Sequence, residues 1–355
     1  MKIIHTGDIH LESKMHQLSS KKAKERQKEI RDAFFGLIDY ANVNDVKVIL
    51  IAGDLFEGKT VKLNTLKELL SKISLSPDID FLYLNGNHDD ASVFYDDKVG
   101  LLPSNFKIFN TEQTTYRYGH IHIQGLDILN YTESELLAQI NFNPNDFNIL
   151  MLHGNESEIP LTKLAGKHID YLALGDIHIP DIESRKLDAR GYYGYCGILE
   201  PRGFDETGVR GFFLIDIENH TFKRTFIKHN KRTYHHIEVD ITGLDNYTLI
   251  QEKINDHTKN ISPEDIVRIA LKGKYDYNTI KDLTSISTHL NNRFYFSALI
   301  DDSHLDYKTI DFENEISLRG EYYKLIQSLT DYDDALKEKL LNYGLKALRG
   351  EKIEL

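Results

Sequence analysis

Five runs of β-strand character in this chain stop in the same way. They end at Thr6-Gly7-Asp8-Ile9-His10, Ala52-Gly53-Asp54, Asn85-Gly86-Asn87-His88-Asp89, Leu152-His153-Gly154-Asn155 and Leu174-Gly175-Asp176-Ile177-His178. In each, a β-branched or leucine-rich stretch gives way to Gly, Asp, Asn or His. The polar side chains therefore leave the sheet at its carboxyl edge, where open α/β sheets place their sites. One Gly-Asp strand end is ordinarily a turn or a helix cap. Five, with Asp, Asn and His as the recurring types, point to a single binuclear metal centre.

The segments between these stops read as an α/β chain. Residues 2–8 form a first strand and 11–20 a loop. Over 21–44 the residues Ile30, Phe34, Leu37, Ile38 and Ala41 recur at helical spacing, which predicts a crossover helix. The near-continuous apolar run 46–52 suits a strand buried on both faces. A helix at 61–73 and a strand at 80–84 complete β-α-β-α-β. Residues 116–123 alternate around Gly119 as a hairpin does. Strands follow at 147–152 and 169–174, with a short helix near 161–165. Residues 192–195, 211–217 and 222–227 read as antiparallel strands completing a second sheet. The expected fold is α/β, two packed sheets with helices outside, over residues 1–230.

Past residue 230 the pattern changes to a small α+β domain, 231–311. It has strands at 234–241, 265–271 and 293–299 and helices at 247–257 and 277–290. Residues 312–355 read as charged helix, with Leu336, Leu340, Tyr343 and Ala347 on one stripe, Leu341, Leu345 and Leu348 beside it, and Gly350 as a stop.

Composition narrows the function. No apolar run approaches the roughly 20 residues of a membrane span. Residues 2–6 go straight into a strand, without the basic and apolar regions of a signal peptide. The single cysteine, Cys196, permits no internal disulfide, so the expected compartment is the reducing cytoplasm. A net charge of −12 argues against holding nucleic acid by bulk electrostatics. Any DNA contact must be local, and basic runs remain at 21–31 and 223–232, the latter a solvated strand edge by default.

Oxygen ligands suit Mn²⁺ or Mg²⁺, and imidazole moves the preference toward Mn, Fe or Zn. Asp54, at the end of the buried second strand, is the expected bridging ligand. Asp8, His10 and His178 would complete the shell of one ion, and Asn87, His153 and Asp176 that of the other. His88 is then free to protonate a leaving oxygen, with Asp89 orienting its ring.

These motifs resemble the signature of the calcineurin-like metallophosphoesterases: Asp8-x-His10, Gly53-Asp54, Gly86-Asn87-His88-Asp89, His153 and Gly175-x-x-His178. Residues 195–206, Tyr-Cys-Gly-Ile-Leu-Glu-Pro-Arg-Gly-Phe-Asp-Glu, are similar to a segment of SbcD-type DNA repair nucleases. The resemblance implies a phosphodiesterase carrying two Mn²⁺ ions, with Mg²⁺ as a substitute. It implies 3'–5' exonuclease action on duplex DNA ends and endonuclease action on single strands or hairpins. It also implies a capping domain, C-terminal helices that grip an SbcC-type SMC-like ATPase, and a homodimer. One position departs from the family: Asp176 stands where a His is usual, adding a carboxylate to the centre.

Other residues have plainer readings. His16, His120, His122, His235 and His236 are expected at the surface or satisfied by neighbours, and Cys196 as a small buried side chain. Arg202 and Arg210 are candidate DNA contacts, with pairing to a nearby acid as the alternative. Two competing functions stay open: a stand-alone phosphodiesterase on nucleotides or small phosphoesters, and a non-catalytic DNA-end-binding scaffold in which Asp176 has cost the centre its activity.

Overall fold

A computed structural model describes the chain apart from residues 16–17, 219, 277, 307–311, 313–314, 349 and 351–355, so His16 lies outside the described residues. The chain divides into two compact units, Met1–Thr233 and Tyr234–Leu355. No helix among the described residues is long and apolar enough to cross a membrane.

The first unit begins β1 (Lys2–Thr6), α1 (Ser20–Val43), β2 (Val46–Ala52), α2 (Leu63–Ser74), β3 (Asp80–Leu84) and β4 (Phe106–Ile108). It continues through β5 (Thr115–Tyr118), β6 (Ile121–Gly125), α3 (Glu133–Gln139), β7 (Phe147–His153), α4 (Leu161–Leu164) and β8 (Tyr171–Gly175). It closes with β9 (Arg185–Lys186), β10 (Tyr192–Tyr195), β11 (Gly211–Glu218) and β12 (Thr221–Lys228). The strands form two six-stranded sheets, ordered β12-β11-β1-β2-β3-β4 and β5-β6-β7-β8-β10-β9.

Strand periodicity explains the four layers. In β7, Ile149 and Met151 face the other sheet while Leu150 and Leu152 face outward. The inward set meets Ile3, Leu50, Ala52 and Leu82 of the first sheet in one core. Outward residues of the first sheet, Ile4, Ile49 and Ile51, pack on Phe34 and Leu37 of α1 and Leu70 of α2. Those of the second pack on Leu136 and Leu164. Burying each such side chain contributes roughly 1.5–3 kcal/mol.

The placement of the last strands differs from the sequence reading. Only β10 joins the second sheet, and it runs parallel to β8. The hairpin β11–β12 instead extends the first sheet, with β11 antiparallel to β1 through pairs such as Ile4↔Leu214. The free edge of β1 offers unpaired backbone groups, which this hairpin satisfies.

The second unit holds β13 (Tyr234–Asp240), α5 (Tyr247–Thr258), β14 (Ile266–Lys272), β15 (Lys274–Tyr275), α6 (Leu283–Arg293), β16 (Phe296–Asp301), β17 (His304–Leu305), α7 (Leu318–Ser328) and α8 (Asp334–Leu348). A parallel sheet β13-β14-β16 carries the core, with β15 and β17 paired beside it. α6 starts later than expected because the Asp282 side chain caps it, accepting from the Ser285 N–H at 3.1 Å. The expected C-terminal helix is two helices. Leu345 of α8 lies in the same core as Val267 and Ile254, so these helices complete the unit. Leu341 is also buried, while Leu336 and Leu348 are exposed.

Candidate metal centre

The carboxyl ends of β1, β2, β3, β7 and β8 bring the seven expected ligands together. Asp8, His10, Asp54 and Asp176 hold positive φ angles of 49°, 49°, 47° and 96°, which turns the chain sharply out of each strand. Backbone bonds lock the first two loops together: Asp8 N–H donates to Gly53 O and His10 N–H to Asp54 O, both at 3.0 Å.

The carboxylate of Asp54 stands between two imidazoles, with Oδ2 3.7 Å from His10 Nε2 and 3.5 Å from His153 Nε2. On one side, His10 Nε2 faces His178 Nε2 at 3.2 Å. Asp8 joins His10 and His178 in one cluster, and Asp54 and His153 in another. On the other side, His153 Nε2 is 3.1 Å from Asn87 Oδ1 and 3.9 Å from Asp176 Oδ1. The Asp176 backbone N–H donates to both oxygens of Asp8, at 3.0 and 3.1 Å.

Each ring has its Nδ1 within 2.9 Å of an oxygen outside the ligand set. His153 Nδ1–H donates to Ala52 O at 2.8 Å. His178 Nδ1 is 2.8 Å from Glu206 Oε1, and His10 Nδ1 is 2.9 Å from Glu57 Oε2. With each ring neutral and its proton on Nδ1, three Nε2 lone pairs would point inward, and those of His10 and His178 would face each other. Two acceptors at that distance repel unless a proton or a metal ion lies between them. Ligands at right angles on one ion sit about 3 Å apart when each bond is about 2.1 Å. The residues present thus fit a pair of divalent ions sharing Asp54.

The local electrostatics agree. Burial drives the Asp8 carboxyl up to about 7, against the pull of His153 and His178. Burial opposes charge on His153, yet the bond to Asp54 and the field of Asp8 hold it up at about 10. Contact with His10 keeps Glu57 down at about 2. Buried carboxylates pressed on imidazoles are what a divalent ion relieves when it displaces their protons.

His88 reaches outward, its side chain 49% exposed, while its backbone N–H donates to Asp54 Oδ1 at 2.9 Å. Its ring lies edge-on to His10, with centroids 5.3 Å apart. A cleft of ≈ 480 Å³ opens beside it, lined by Lys14, Met15, Leu18, Glu57 and Arg202 among others.

Two expected roles need correction. Asp89 does not orient the His88 ring: its buried carboxylate accepts the backbone N–H groups of Leu55 at 2.6 Å and Gly86 at 2.7 Å, stapling two ligand loops. The carboxylate facing His88 is Glu57, with Oε1 3.6 Å from Nδ1. Arg202, which lines that cleft, follows the alternative of pairing with acids: its guanidinium spans Glu57 and Glu206. Arg210 is 3% exposed, its Nη1 donating to Val209 O, so it is buried in the protein rather than presented at its surface.

Glu57 and Glu206, beside His10 and His178, are residues of the site that sequence reasoning missed. Glu57 follows the Gly53-Asp54 motif and Glu206 ends the 195–206 segment, and a metal-bound His needs an acceptor for its other nitrogen. That need was the available signal. Of the remaining residues, Cys196 is buried with Sγ 3.9 Å from Asp8 Oδ2. His122 and His235 meet Arg117 and Asp265, and His120 and His236 are exposed.

Over 98% of its length the chain is 25% identical to the DNA double-strand break repair protein Mre11 of Haloferax volcanii, covering 75% of that protein. It is 23% identical to the protein of the same name from Halobacterium salinarum, over 96% of this chain and 90% of the other. It is also 25% identical to the metallophosphoesterase YhaO of Bacillus subtilis, over 76% of this chain and 71% of the other. The family model of the calcineurin-like phosphoesterases matches residues 1–180. That match takes in every ligand position from Asp8 to His178, and the chain belongs to the calcineurin-like phosphoesterase family.

Proposed function

We propose that this phosphoesterase is a two-metal DNA nuclease that takes Mn²⁺, with Mg²⁺ as a substitute. The observation that carries the chemistry is the shared position of Asp54 Oδ2 between His10 and His153. When bound, two such ions supply Lewis-acid stabilisation of the phosphate oxygens and activate water for in-line displacement. His88 stands at the exposed mouth of the site and donates a proton to the leaving oxygen. Its backbone bond to Asp54 fixes the distance between acid and ligands. Asp89 holds the loops that carry Asn87 and Asp54 in register.

The substrate reading draws on the two Mre11 proteins, whose similarity extends past the phosphoesterase domain into the second unit. On this reading the chain degrades duplex ends 3'–5' and opens single strands or hairpins. It works in the cytoplasm as a homodimer with an SbcC-type SMC-like ATPase, which the exposed Leu336 and Leu348 of α8 help to hold. A second reading, a phosphodiesterase of nucleotides or small phosphoesters, is favoured by one observation: both arginines expected at DNA, Arg202 and Arg210, are engaged or buried inside the protein.

The test is cleavage of linear duplex and hairpin DNA with Mn²⁺, Mg²⁺ or Zn²⁺, beside a His88→Ala variant and an aryl phosphodiester. Mn²⁺-dependent DNA cleavage that falls about 10²–10⁴-fold in the variant supports the nuclease. Hydrolysis of the aryl diester alone supports the second reading.

A further inference from the structure

We propose that Arg202 is a positioning residue of the metal centre: one guanidinium ties together the two carboxylates that orient His10 and His178. The proposal rests on the metal-centre part of the reading above, and not on DNA as the substrate.

Each carboxylate oxygen does double duty. Glu57 Oε2 lies 2.9 Å from His10 Nδ1 and 2.5 Å from Arg202 Nη1. Glu206 Oε1 lies 2.8 Å from His178 Nδ1, 3.1 Å from Arg202 Nη2 and 3.2 Å from Arg202 Nε. The Arg202 backbone N–H reaches the other oxygen of Glu206. A planar fork with five donors can serve two carboxylates at once, which a lysine ammonium on a flexible stem cannot do with the same geometry.

The clamp also decides between tautomers. Arg202 Nη2 stands 3.3 Å from His178 Nδ1, and a guanidinium can only donate. Left alone, it would favour a lone pair on Nδ1 and turn a proton toward the metal side. Glu206, nearer and held in place by Arg202 itself, selects Nδ1–H and leaves Nε2 open.

The support beneath Arg202 is rigid. Arg26, fully buried, donates to Pro201 O at 2.7 Å and pairs with Glu200 at 2.6 Å. Glu200 in turn accepts the backbone N–H groups of Lys231 and Arg232, at 2.6 and 3.2 Å. The two residues before Arg202 are thus fixed to α1 and to the end of the first unit. The other ion has no part in this arrangement, because the Ala52 carbonyl orients His153. Loss of Arg202 should therefore strike one ion and spare its neighbour.

The experiment compares the full chain with Arg202→Lys and Arg202→Ala. Nitrogen NMR of histidine-labelled, metal-free protein reads the tautomers, Mn²⁺ calorimetry reads the two affinities, and thermal melting checks the fold. In the wild type, His10 and His178 should both be Nδ1–H. In the variants that preference should be lost while the His153 nitrogen signals stay as in the wild type, and one Mn²⁺ site should weaken about 10–100-fold with the other within about twofold. Arg202→Lys keeps the charge and the stem, so it serves if the alanine variant fails to fold.

Unchanged tautomers and affinities would overturn the proposal. So would intact Mn²⁺ binding with weaker DNA binding and a salt slope reduced by about 1, which would make Arg202 a phosphate contact. A wild type that loads Mn²⁺ but cuts no DNA would sink the nuclease reading alone. The ring tautomers would still decide the role of Arg202.

Discussion

His153 Nδ1 lies 2.8 Å from the carbonyl oxygen of Ala52, so a ring carried by β7 in one sheet takes its orientation from the last residue of β2 in the other. Gly175, at the end of β8, presses on the same carbonyl. A Cβ there would lie 1.8 Å from Ala52 O and 2.8 Å from His153 Nδ1. The metal centre is thus built where the two sheets touch.

Gly175→Ala should accordingly disturb fold and site together. The obstructing atom is backbone and cannot swing aside, so the sheets must part locally, at a cost of about 2–3 kcal/mol. Thermal denaturation should show a fall of roughly 5–10 °C, with weaker Mn²⁺ binding by calorimetry. A melting point equal to that of the wild type would mean the contact yields freely.

Acid should destabilise the first unit through His5, whose Nδ1 is 2.8 Å from the Tyr171 hydroxyl inside the sandwich. Burial, helped by the Arg224 charge, lowers its pKa to about 3. Between pH 6.5 and 3 the unfolded chain binds a proton that the folded chain refuses. This contribution is complete above pH 6.5 and is lost as pH falls, by about 1.4 kcal/mol per unit. Urea denaturation at several pH values should show that slope, and His5→Gln should flatten it. Equal slopes in both proteins would contradict the assignment.

Asp176→His should change metal preference without dismantling the site. The Asp176 backbone N–H, which serves Asp8, is kept, while a carboxylate 3.9 Å from His153 Nε2 is exchanged for an imidazole. Softer nitrogen ligation favours Zn²⁺. Competitive titration should show Mn²⁺ losing ground to Zn²⁺, and an unaltered ratio would place Asp176 outside the ligand set.

Arg210→Met tests the corrected role of that residue. Burial depresses the Arg210 pKa, and its Nε and Nη2 have no hydrogen-bond acceptor among the described residues. Replacing such a charge with an apolar side chain of similar length should leave stability unchanged or raise it by about 1 kcal/mol. DNA affinity and its salt dependence, measured by fluorescence anisotropy, should not move. A shallower salt slope would restore Arg210 as a phosphate contact.

The strand ends were legible because two signals coincide there: apolar runs of strand length, and abrupt stops at Gly, Asp, Asn or His. The sheet assignment of β11 and β12 was not, since a hairpin's sequence does not say which open edge it will pair with. Asp89 was misread for a related reason. Adjacency to His88 suggested contact, but the turn points its carboxylate back into the backbone N–H groups of Leu55 and Gly86. Arg202 and Glu206 are four residues apart, but Glu57 is 145 residues away, and only folding brings it to them.

The left-handed backbone at Asp8, His10, Asp54 and Asp176 sets which replacements the centre can accept. Among residues with a Cβ, Asn, Asp and His are the ones enriched in that conformation, and all three also bind divalent ions. The alphabet of the turns and the alphabet of the ligands coincide. An exchange of His for Asp at position 176 therefore stays within what both the chain and the metal tolerate. Glutamate and cysteine, equally good donors, would meet resistance from the backbone before they ever reached an ion.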